Sequence, residues 1–60
     1  MIDRVIQIVR GKLAEERSKF IEYTRQRQYD IALIHSARID TLYWVLKILE
    51  SIKEVKTKNE

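Results

Sequence analysis

Two apolar stripes separated by a polar, basic joint organise this chain. In the first, Ile2, Val5, Ile6, Val9, Leu13, Phe20 and Tyr23 recur at three- and four-residue steps, the spacing of one helix face. In the second, Ile31, Ile34, Leu42, Val45, Leu49 and Ile52 share a face, flanked by Ile39, Leu46 and Ile48. Leu33, Ala37, Trp44 and Val55 lie roughly opposite, so this segment is apolar on more than one side. Strand alternation is missing, and Leu, Glu, Lys, Arg, Gln and Ala dominate. The pattern predicts an all-α chain: a helix over about 2–26, a joint over about 27–30, a helix over about 31–56 and a frayed tail over 57–60. Each arm of about 24 residues would span about 36 Å.

The joint, Arg25-Gln26-Arg27-Gln28-Tyr29-Asp30, holds no glycine or proline to enforce a turn; Asp30 suits an N-cap before the second stripe. The heptad phase breaks there: Ile6, Leu13 and Phe20 continue to Arg27, while the next stripe restarts at Ile31. A phase break is met by a turn, giving an antiparallel αα-hairpin, or by a four-residue stutter in one continuous helix. The hairpin is the expected form. Asp3 near the start of the first helix and Lys53, Lys56 and Lys58 near the end of the second suit the helix dipoles. Gly11, the sole glycine, costs about 1 kcal/mol in a helix interior relative to alanine. It is either a site of close helix crossing or simply tolerated.

Length turns this pattern into a prediction of assembly. A single domain of 60 residues buries only about 60% of the surface that its unfolded chain exposes. Small folds gain stability from disulfides, metals or partner chains. The chain has no cysteine and one histidine, His35, so neither disulfides nor a histidine–thiolate metal centre is available and no cofactor is expected. A homo-oligomer remains, either a dimeric four-helix bundle or something larger. The expected oligomer contacts are Ile31, Leu42, Val45, Leu49, Ile52 and Trp44. No apolar run approaches the roughly 18 residues of a membrane span, and the N-terminus does not resemble a signal peptide. A cytoplasmic protein without membrane partners is expected.

Charge is unevenly placed. The net charge is +3; residues 1–29 hold seven Lys/Arg against four Asp/Glu, and residues 30–60 hold five of each. The excess gathers in the first helix and the joint, at Arg17, Lys19, Arg25 and Arg27. This tip is either a solvated hairpin end or a phosphate contact in which Tyr23 or Tyr29 stacks on a base. Phosphate-cradling glycine loops, an HExxH pair and a cysteine nucleophile are all missing, so no catalytic residues are expected.

His35 and Arg38 interrupt the second stripe, and Glu16 interrupts the first. In an antiparallel pairing about a joint near 27–29, Arg38 falls within one turn of Glu16. One reading is a partly buried Glu16–Arg38 ion pair that fixes register, with His35 beside it. The other has Arg38 and His35 lining an inter-subunit pocket for an anionic ligand, aided by Lys19, Arg25, Arg27 and Tyr29. The planar guanidinium suits phosphate because it binds bidentately.

Two resemblances bear on this choice. In length and pattern the chain looks like the repressor-of-primer type of RNA-binding protein, a dimer of helical hairpins. That likeness implies that Arg10, Lys12 and Lys19 face paired RNA loops. Locally, Ala37-Arg38-Ile39-Asp40 before an apolar helix resembles a segment of the phage hairpin proteins that sequester cyclic oligonucleotide immune signals. That likeness implies a viral, anti-defence protein that holds a cyclic nucleotide between subunits without chemistry, with Arg38 near a phosphate and Asp40 supporting the site or interface. A nucleotide sponge is the favoured expectation. The alternatives are an RNA-binding regulator and a small inhibitor that docks on a larger host protein.

Overall fold

A computed structural model describes residues 1–58. Its two helices are α1, Ile2–Arg25, and α2, Tyr29–Lys58, with no strand among the described residues. They run antiparallel as a rod of 50 × 15 × 11 Å. The radius of gyration, 14.4 Å, exceeds the about 10 Å of a compact chain of this length. No helix among the described residues is long and apolar enough to cross a membrane.

The seam between the helices has a strict heptad register. On α1 it comprises Ile2, Ile6, Val9, Leu13, Glu16, Phe20 and Tyr23; on α2, Ala32, His35, Ile39, Leu42, Leu46 and Leu49. Steps alternate between three and four, the spacing that keeps one stripe facing a partner helix. Ile6, Leu13 and Leu46 form the buried core, and Ile2, Val9, Ile39, Leu42 and Leu49 pack around it. Leu42 and Leu49, expected among the oligomer contacts, pack half-buried in the seam inside the hairpin. Val5, counted with the first stripe, lies exposed at its edge.

One residue before the seam positions on α2 runs a second heptad stripe, Ile31, Ile34, Arg38, Thr41, Val45 and Ile48, which continues to Ile52 and Val55. All are exposed except the half-buried Val45. One residue corresponds to about 100° around the helix axis, so α2 carries two stripes nearly at right angles, one covered and one open. The apolar run of α2, read as a single face, is these two stripes merged.

The joint is Gln26–Gln28, and α2 begins at Tyr29, two residues earlier than its apolar run suggested. Arg27 N–H donates to Thr24 O (3.0 Å) and Gln28 N–H to Tyr23 O (2.9 Å), closing α1 with a Schellman motif. Arg27 takes the left-handed position, with φ 60°, where glycine is usual. Ala32 N–H donates to Gln28 O. Gln28 is thus the N-cap, and Asp30 sits in the first turn of α2, where its charge suits the dipole. The helix continues through Thr57 and Lys58, where fraying was expected; residues 59 and 60 lie outside the described residues.

Glycine is thus absent where the backbone calls for it and present where it does not. A Cβ on Gly11 would meet nothing within 4 Å, so no close crossing depends on it. Gly11→Ala and Arg27→Gly are each expected to stabilise the hairpin by about 0.5–1 kcal/mol, through helix propensity and relief of left-handed strain respectively. Urea unfolding of the single and double variants at one protein concentration checks both.

Candidate functional site

Nearer the joint than the open end of the rod, the apolar seam gives way to a polar layer. Glu16 replaces an apolar residue on α1 and His35 does so on α2; both are buried, Glu16 to 1% exposure. A buried carboxylate needs partners, and Glu16 has two. The imidazole of His35 donates from Nδ1 to Oε2, and Arg38 Nη1 lies 3.4 Å from Oε1. Tyr23 stacks flat on the His35 ring, with centroids 5.4 Å apart and planes 2° from parallel. Tyr23, Glu16 and His35 therefore make one interlocked layer.

The electrostatics follow from that layer. The His35 hydrogen bond holds the Glu16 carboxyl below its ordinary value of 4.5; burial opposes this, and the charges of His35, Arg38 and Lys19 reinforce it. At the far end of the rod Asp3 is held low by its hydrogen bond and charge pairing with Lys53, and Glu50 by its hydrogen bond from Arg10 at 2.9 Å.

Of the residues proposed to meet a ligand, His35 is occupied. The Nδ1 edge of its ring bonds Glu16, its face stacks on Tyr23 and the residue is 7% exposed, so little of it faces an inter-subunit pocket. Tyr23 is likewise spent on that stack rather than on a base. Arg38 is different: its side chain is 56% exposed. It borders an open groove of about 570 Å³ together with Lys12, Glu16, Ala37, Thr41 and Leu42. Arg25, Arg27 and Tyr29 are exposed at the joint, where Arg27 and Tyr29 line a separate shallow depression with Asp30. Lys19 is exposed on α1 and contributes to the field at Glu16. Asp40 is exposed and does not border the Arg38 groove. Lys12, missing from the ligand set read from sequence, was legible as the residue seven before Lys19 on one helix stripe.

The two broad faces of the rod differ in character. On one, the open stripe of α2 lies beside Val5, Ile8, Lys12 and Glu15 of α1. On the other, Arg10 pairs with Glu50 and Lys53 with Asp3 around a polar groove. Trp44 is exposed at 65% beside the open stripe, and Lys47 lies over the Tyr43 ring at 5.2 Å. Among the described residues no group of three or more histidine and acidic side chains is placed to hold a metal ion. No protein-family model, no curated protein and no solved structure matches this chain.

Proposed function

We propose that this chain is a non-enzymatic binding protein that works as a homo-oligomer and takes a phosphate-bearing ligand at the Arg38–Lys12 groove. One observation carries the reading. Arg38 is a half-exposed cation set within a largely apolar stripe. Its one hydrogen-bond partner among the described residues, Glu16, is distant at 3.4 Å, and a guanidinium has five N–H donors. The carboxylate below it is already bonded to His35, so Glu16 fixes where Arg38 stands without consuming its hydrogen-bonding capacity. Lys12 adds a second positive charge across the groove. A nucleotide sponge, the kind of protein that the Ala37–Asp40 segment resembles, is the concrete form of this proposal.

A second reading has its own support. The same 3.4 Å contact makes Arg38 a structural partner of the buried carboxylate, with no ligand involved. Arg38→Met separates the two, because methionine keeps the apolar stem and removes the fork. Native mass spectrometry of protein purified gently from cells, followed by titration with inorganic phosphate and a panel of cyclic di- and trinucleotides, is the measurement. The sponge reading expects a bound mass of a few hundred daltons and an affinity loss of roughly 10- to 100-fold in Arg38→Met. No adduct, no binding from the panel and a more stable Arg38→Met oligomer would leave the structural reading in its place. Affinity for RNA falling steeply with salt would point instead to an RNA-binding regulator.

A further inference from the structure

We infer that the open stripe of α2 is a homodimer interface in which a second copy packs antiparallel, with the two-fold axis at the level of Tyr43. The inference deepens the self-association proposed above and rests on it. Three observations converge.

The first is periodicity. Ile31, Ile34, Val45, Ile48, Ile52 and Val55 are spaced for a second coiled-coil seam. It lies about 100° from the seam already in use, the angle that a helix at the corner of a four-helix bundle needs. The second is area. The chain exposes 4933 Å², whereas a compact monomer of its mass exposes about 4,100 Å². The excess is close to the roughly 800 Å² that each partner buries in an interface of standard size.

The third is charge, and it selects the orientation. A parallel, in-register pair would set Arg38 on Arg38 and Lys12 on Lys12. The antiparallel pair places Ile31 against the partner's Val55, Ile34 against the partner's Ile52 and Thr41 against the partner's Val45. Arg38 then lies over the partner's Ile48, and the two guanidinium-bearing positions are about 15 Å apart along the helix. The Asp3–Lys53 pair sets the level of α1: ten residues further along each helix, Leu13 stands beside Tyr43. The same axis therefore passes between Lys12 and Glu15, which lie 3.3 Å apart within one chain. Across it, Lys12 meets the partner's Glu15, and Glu15 meets the partner's Lys12. The arrangement that best buries the apolar stripe also pairs the charges beside it.

Sedimentation equilibrium at low salt tests this with a charge swap, while circular dichroism verifies helicity. Wild type is expected to be a dimer. Glu15→Lys should weaken it by roughly tenfold, because two attractive pairs become repulsive. Lys12→Glu/Glu15→Lys should restore the dissociation constant to within about threefold of wild type. A wild type that associates without rescue by the swap, or into another stoichiometry, overturns the antiparallel dimer and leaves self-association standing. A monomeric wild type at about 100 µM, well above the working range of a specific dimer, overturns both.

Discussion

Replacing His35 with leucine is expected to lower the thermal midpoint by roughly 10 °C or more, and adding Glu16→Leu to restore it beyond wild type. The single substitution strands a carboxylate that is 1% exposed with the 3.4 Å contact to Arg38 as its remaining bond. The double substitution makes the layer apolar and continuous with Leu13 and Ile39. Circular dichroism melts at matched protein concentration read both, since association adds to apparent stability. The effect depends on pH with a definite sign. Because the folded-state pKa of Glu16 is depressed below 4.5, its contribution is complete above that value and is lost as pH falls from 4.5 through the folded-state value. His35→Leu removes the main cause of the depression. The gap between wild type and His35→Leu should therefore narrow as pH falls through that window. Asp3 and Glu50, also held low, titrate in both proteins and cancel in the difference. A gap independent of pH, or a double variant less stable than wild type, would contradict the assignment.

The two helices are written plainly in the three- and four-residue spacing of the stripes. What the sequence does not disclose is which side of α2 turns inward. Ile31-Ala32, Ile34-His35, Val45-Leu46 and Ile48-Leu49 are adjacent pairs, one member on each stripe. At the joint end hydrophobicity alone ranks Ile31 and Ile34 above Ala32 and His35, yet the weaker pair is buried. The buried Glu16 explains the inversion, because a carboxylate on the α1 seam needs a donor opposite, and His35 supplies it. Bulk acts in the same direction: α1 brings Phe20 and Tyr23 to this end, which leaves room for alanine rather than isoleucine. The pairing of Glu16 with Arg38 was legible from antiparallel counting. The closer contact to His35 and the Tyr23 stack were not, because both depend on the one-residue rotation of α2. The turn was equally hidden, since an arginine occupies the left-handed position that glycine usually marks.

Ile34→Asp is expected to weaken the proposed dimer by roughly 10²- to 10⁴-fold. Ile34 is 54% exposed in the single hairpin, so in an isolated monomer the aspartate stays in water and costs within about 0.5 kcal/mol. In the dimer, two-fold symmetry repeats each layer. Burying an isoleucine is worth about 1.5–3 kcal/mol, and the loss counts twice, which gives about 3–6 kcal/mol and the stated change in dissociation constant. Leu33→Asp is the matched control: Leu33 is more exposed still, at 67%, but lies off the stripe, and its substitution should leave the dissociation constant unchanged. Melting should follow the same division. Four apolar residues of the seam, one of them an alanine, are buried between α1 and α2, so much of the apparent stability is expected to come from association. Wild type and Leu33→Asp should melt higher as concentration rises, whereas Ile34→Asp should melt lower and independently of concentration. Dissociation by Leu33→Asp to the same extent as by Ile34→Asp would show general apolar adhesion in place of a defined seam, because only a defined seam distinguishes two exposed residues one position apart on the same turn of the same helix.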